Sequence, residues 1–261
     1  MAKIDLSKVS VTDANEALRR HGSDREDVDI LNPDAKHHIG VGLVDPITVR
    51  VHGSAGYFCA GLTDGPRFEV DNNVGWGAGD NMLGGSLVVR GNAGAIAGVA
   101  IRGAEIVVHG NIGSRAGQVM KAGTLCCAGN ANFMAGYMMY GGRLIILGNS
   151  GEKVGQDMTG GTIYVGGKVQ SLGTDATLID LPGEEEDEIR AFPCRARNHP
   201  RLSCRRFGRA RVFALGVVDA EGVAYGVLSS LGHFQDHRVG ALRHDHRGRT
   251  LRRGVHNRPR S

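Results

Sequence analysis

A nucleophile, a metal ligand or a general base in this chain has to come from a short set of side chains. The five cysteines, Cys59, Cys126, Cys127, Cys194 and Cys204, are odd in number and contain no Cys-x-x-Cys. Their spacing gives neither a disulfide framework nor a zinc site, and they read as ordinary reduced thiols. His37 and His38 are adjacent and read as a partly exposed structural pair rather than a subunit contact. Asp80 and Asp157 have the chemistry of general bases, but no second group is placed beside either of them. Gly75-Trp76-Gly77-Ala78-Gly79 is dense in glycine, yet it breaks the dinucleotide fingerprint and opens no helix. Gly167-Lys168 is no phosphate loop, because Thr162 stands where its first glycine belongs and Val169 follows the lysine. The expectation is a chain with no catalytic, cofactor-binding or metal-ligating residue of its own.

The C-terminal part is a different kind of text. Residues 1–192 carry 16 Lys and Arg against 23 Asp and Glu, whereas residues 193–261 carry 15 against 4, and all fifteen are Arg. Three readings of this tail compete. It binds nucleic acid through phosphate contacts, it holds a metal through His233, His237, His244 and His246, or it is an out-of-frame translation of a GC-rich gene. The last is favoured, and nucleic acid is not an expected partner. The stretch from Val212 to Leu231 has the pattern of a hairpin. The polar opening MAKIDLSKVS lacks a following apolar run, and nowhere do eighteen apolar residues occur together, so a cytoplasmic protein without a membrane span is expected.

The elements that position these residues follow from a repeat. The pair Gly91-Asn92 recurs as Gly110-Asn111, Gly129-Asn130 and Gly148-Asn149, each nineteen residues on, with a degenerate copy at Gly167-Lys168. Ahead of each turn, Val49, Phe68, Leu87, Ile106, Leu125, Leu144 and Ile163 form one apolar column, and Val51, Val70, Val89, Val108, Cys127, Ile146 and Val165 form another two residues later. The column between them is mixed, which is the period-two signature of a strand with one buried face. After the turn, Cys59, Ala78, Ala97, Ala116, Ala135 and Val154, then Met82, Ile101, Met120, Met139 and Met158, predict a second, more open strand facing the same interior.

Nineteen residues with this much glycine cannot hold two helices, and leucine-rich spacing is missing. What remains is an all-β fold, a right-handed parallel β-helix with a 19-residue coil, short capping helices and an irregular C-terminal tail. The predicted division is an N-terminal cap segment over 1–45, the β-helix over 46–181, an acidic capping helix over 182–192 with Ile189 and Phe192 on one face, and the Arg-rich tail over 193–261. Asp13 to Glu16 reads as a capping box that opens an N-terminal helix. The Asn column predicts an amide ladder along the stack.

These features resemble the GXGXG repeat of glutamate synthases, and more closely the free-standing β-helix subunit of the N-methylglutamate synthase type. The likeness is carried by NPDAKHHIGVGL (32–43), GYFCAG (56–61), VGWGAGDNMLGG (74–85) and GKVQSLGTDA (167–176). Formylmethanofuran dehydrogenases carry a related subunit. The resemblance implies a non-catalytic scaffold that joins a glutaminase subunit (a class II amidotransferase) to an FMN-dependent, iron–sulfur-containing synthase subunit, with FMN and the cluster held by that partner. This chain has no iron–sulfur cysteine cluster and no N-terminal nucleophilic cysteine, in keeping with that division of labour.

Overall fold

The structure is a computed structural model that describes residues 1–179 and, beyond them, the backbone of four short strands. The acidic segment 182–192, Cys194, Cys204 and the tail histidines lie outside the residues whose side chains are described. Nine strands form one all-parallel run in chain order: β1 (Ala2–Asp5), β2 (Val28–Leu31), β3 (Thr48–Val51), β4 (Arg67–Val70), β5 (Ser86–Val89), β6 (Glu105–Val108), β7 (Thr124–Cys127), β8 (Arg143–Ile146) and β9 (Thr162–Val165). From β3 onward each rung is displaced by nineteen residues, so that Leu87 pairs with Ile106, Ile106 with Leu125 and Leu125 with Leu144. This is the stacked solenoid read from the repeat.

Alternation along each four-residue strand sends the two apolar columns inward, where they are buried together with the small-residue and Met columns in one continuous core. The segment carrying those last two columns is not a strand. Its alternate residues are left-handed, for example Gly77, Gly79 and Asn81 on one coil and Ile96, Gly98 and Ala100 on the next, with φ between +52° and +70°. Coil-to-coil hydrogen bonds persist there, alternately up and down the stack: Gly77 N–H donates to the Ala95 carbonyl (3.0 Å) and Gly79 N–H to that of Cys59 (2.8 Å). Even spacing therefore identified the inward face correctly, while the backbone that supplies it is a chain of turns.

The Asn column is a ladder of a particular kind. Asn92 Oδ1 accepts from the backbone N–H of Asn111, Asn111 from Asn130, Asn130 from Asn149 and Asn149 from Lys168, each at 2.8 Å. Only Asn73 also takes an amide donor, Asn92 Nδ2 at 3.3 Å. Side chain to backbone, rather than amide to amide, is the rule, because the turn amide has no strand partner. A Cβ on Gly110 would lie 2.4 Å from Asn92 Oδ1, so the glycine of each Gly-Asn pair makes room for the rung below.

The N-terminal helix α1 (Val11–Ser23) starts earlier than the capping box read at Asp13. Ser10 is the N-cap; its Oγ accepts from Asp13 N–H (3.1 Å) and donates to Asp13 Oδ2 (2.7 Å). Ala14 and Leu18 of this helix join Leu6, Ile39 and Leu43 in the core at the end of the stack. The strand edge itself is extended by β2 and β1. At the other end, β10 (Thr177–Ile179) and β11 (Phe213–Val218) continue the sheet, β11 running antiparallel to β9 and forming a hairpin with β12 (Ala224–Tyr225). Strands β13 (Arg243–His244) and β14 (Thr250–Leu251) pair antiparallel with each other. Among the described residues no helix is long and apolar enough to cross a membrane.

Candidate interaction face

The nineteen-residue register stacks aromatic rings on the outside of the first coils. His37 lies 4.3 Å from Tyr57 at 15° between planes, Tyr57 lies 5.6 Å from Trp76 at 21°, and His38 lies 5.6 Å from Phe58 at 6°. Tyr57 N–H donates to His37 Nδ1 at 2.9 Å, which fixes the first ring. The two histidines therefore belong to the stack and do not merely precede it. The dense glycine run acquires its reason here. A Cβ on Gly75 would lie 2.5 Å from Tyr57 Cδ1, and one on Gly77 would lie 2.6 Å from Phe58 Cδ1, so each ring lies flat beneath backbone that has no side chain.

Trp76 is 56% exposed and Tyr57 42%, an unusual amount of aromatic surface left in water. Further along the same coils, Leu62 and Leu83 are 55% and 47% exposed, and with Asn81 and Arg102 they line a hollow of about 230 Å³. Asp80 stands beside it. Burial pushes its carboxyl upward, partly offset by the hydrogen bond from Asn81 Nδ2 (2.7 Å). Asp157 is exposed, four coils away and engaged by Gln156 Nε2 (2.6 Å), so the two aspartates never meet.

The thiols of the described residues, Cys59, Cys126 and Cys127, are sequestered. Cys59 is fully buried with its pKa pushed up to about 12 by desolvation, and Cys127 likewise, its Sγ donating to the Gly110 carbonyl at 3.3 Å. Neither is a nucleophile at neutral pH. Among the described residues no group of three or more His, Cys, Asp and Glu side chains is arranged to hold a metal.

One polar constellation escaped the reading of the sequence. His52 sits between Asp29 (Nε2 to Oδ1, 3.2 Å) and Asp71 (Nδ1 to Oδ2, 3.0 Å), and Arg90 Nε lies 3.4 Å from Asp71 Oδ1. His52, Asp71 and Arg90 are nineteen residues apart, so the alternation of charge down one column was the available signal. His52 also borders a hollow of about 690 Å³ lined by Asn32, Lys36 and Ser54 at the start of the stack. The exposed members of this column are worth little in stability.

Comparison with known proteins agrees with this geometry. The GXGXG motif family matches residues 28–180. Protein GlxC of Rhizobium meliloti (strain 1021) is 36% identical over 91 residues, which are 34% of this chain and 40% of GlxC, so the match spans less than half of that relative. A chain in the crystal structure of the formyltransferase/hydrolase complex (FhcABCD) from Methylorubrum extorquens in complex with methylofuran superimposes with a TM-score of 0.54 at 22% identity. That match covers 69% of this chain and 78% of the other, a likeness of fold. With the repeat, the coil and more than half of the chain matched, this protein belongs to the GXGXG family.

Proposed function

We propose that this chain is a non-catalytic scaffold subunit of a glutamate synthase-like complex of the N-methylglutamate synthase type. It joins a glutaminase subunit to an FMN-dependent, iron–sulfur-containing subunit. The observation that carries this reading is the exposed ring and leucine face on the first coils, formed by Tyr57, Trp76, Leu62 and Leu83, on a body whose described thiols are buried and whose candidate bases are dispersed. Such a face has the composition of an interface core, where aromatic residues anchor. Membership of the family and the relation to GlxC support assembly into a multi-subunit complex.

Recovery of the tagged full chain from its own cells tests the reading. The native chain is expected to bring down a glutaminase and a flavoprotein. A Trp76→Ala/Leu83→Asp variant should keep its melting temperature and lose them. Glutamine hydrolysis by the purified chain, or recovery of the native chain without either partner, overturns the proposal. A second reading, a subunit of a formyltransferase/hydrolase-type complex, is favoured by the FhcABCD likeness. It predicts formyltransferase and hydrolase chains in the same recovery.

A further inference from the structure

Charge is handled differently on the sheet and in the left-handed turns. On and beside the strands, arginines have carboxylates within reach: Arg50 lies 3.9 Å from Asp27, Arg67 2.8 Å from Glu69 and Arg90 3.4 Å from Asp71. In the turns of the middle coils they do not. Between Asp80 and Glu152 the sequence holds a single acidic residue, Glu105, and it stands at the start of β6. Arg102 and Lys121 are exposed, and neither forms an ion pair among the described residues. The third cation of these turns, Arg115, is already placed, over the Tyr137 ring at 5.7 Å.

Leu83, Arg102, Lys121 and Tyr140 are successive members of one nineteen-residue column. Their N–H groups donate to equivalent carbonyls of the coil before, those of Thr63, Met82, Ile101 and Met120, at 2.8 or 2.9 Å. The four positions therefore stack along the axis at about 4.8 Å per step. Leu83 is 47% and Tyr140 52% exposed, which makes the column a stripe of two unpaired cations between two apolar ends. At its first end the stripe runs into the hollow that Leu83 and Arg102 share with Leu62 and Asn81. Like charges one step apart repel, and no carboxylate of the described residues relieves them.

We infer that this stripe is where a partner subunit docks a helix carrying two carboxylates one turn apart, with an apolar residue a turn before and a turn after. The inference rests on the scaffold reading above and adds to it the chemistry of what the scaffold holds. A helix laid along the stack repeats every 5.4 Å or about that, against about 4.8 Å per coil. Over three steps the two differ by about 2 Å, a mismatch that side chains as long as Arg102 and Lys121 take up. The carboxylates meet the two cations, and the apolar residues meet Leu83 and Tyr140. A phosphate backbone would neutralise the cations but leave Leu83 and Tyr140 in water, so a polypeptide is the better occupant.

Zero-length cross-linking and charge reversal test this on the tagged full chain recovered from its own cells. Carbodiimide is expected to couple Lys121 of the native chain to an Asp or Glu of a recovered glutaminase or flavoprotein. An Arg102→Glu/Lys121→Glu variant should keep its melting temperature and recover at least about tenfold less of that subunit. A Lys3→Glu/Lys168→Glu variant, with the same change of net charge at exposed sites away from the stripe, should recover as much as the native chain. Undiminished recovery by the stripe variant, or an equal loss by both variants, overturns the inference and leaves the scaffold reading in place. Coupling of Lys121 to a second copy of this chain, or recovery that nuclease abolishes, overturns it as well. Coupling to a subunit of another kind upholds the stripe and overturns the partners proposed above, whereas a native chain that recovers no subunit overturns both. Should the stripe variant lose its cooperative melt, the coupling of Lys121 decides alone, and its absence overturns the inference.

Discussion

At the scale of single residues, the Gly-Asn pair acts as one device. Gly110→Ala places a methyl 2.4 Å from Asn92 Oδ1 and 2.7 Å from the Gly91 carbonyl, neither of which can retreat without moving a coil. Asn111→Ala removes only the acceptor for Asn130 N–H, at an exposed turn where water can substitute. Chemical denaturation should therefore show Gly110→Ala to be the more damaging, by about 2 kcal/mol or more, against about 1 kcal/mol for Asn111→Ala. The thiols give a pH dependence with a definite sign. Cys59 and Cys127 ionise near pH 12 in the folded chain but near 9.0 once exposed. Stability is insensitive to them below pH 9, and falls as pH rises from about 9 toward 12, because the unfolded chain releases those protons first. Urea titrations at pH 8 and pH 10.5 should show the loss, and a Cys59→Ala variant a smaller one. The Asn column was legible because identical residues at a fixed interval must stack. Its preference for backbone donors was not, since residue type does not reveal which turn amide lacks a partner.

At the scale of elements, the coil combines a β-strand with a row of left-handed turns. The inward columns fixed both faces of the interior, and Met120, fully buried, fills its share of it. Met120→Ala should cost about 2–5 kcal/mol through the cavity it leaves, lowering the melting temperature, whereas Met120→Leu should cost under about 1.5 kcal/mol. Left-handed backbone was invisible in the sequence wherever the column is not glycine. Ile96 at φ +52° and Val119 at φ +47° are branched residues whose N–H groups donate to the next coil (Ser114 and Tyr137 carbonyls), while the carbonyl just before each, of Ala95 and Gln118, accepts from the coil before. Propensity argues against them locally, and the neighbouring coils override it. The burial of the outward residues Cys126, Ile145 and Tyr164 on β7 to β9 was hidden for a related reason: they were read as one mixed column with Arg50 and Glu69, when the apolar half needed separate treatment.

At the scale of the molecule, the exposed ring face came from combining positions that look unrelated in one dimension. Tyr57 and Trp76 were legible as neighbours only once the nineteen-residue register was applied, and His37 needed a twenty-residue step that the period does not supply. Because each coil from β3 onward pairs in register with the one above and the one below, a whole unit is removable in phase. Deleting residues 105–123 should leave a folded chain with Ser86–Val89 paired to Thr124–Cys127, by circular dichroism and a single cooperative melt, whereas deleting ten residues from the same place should abolish folding. The ladder that ends on the backbone of Lys168 makes no demand for a particular side chain at its last step, so the stack can stop after any copy. The length of the stack is then quantised: gaining or losing one duplication moves the far end by about 4.8 Å relative to the ring face. Such a body works as a ruler, and gene duplication can reset its length without redesigning either end.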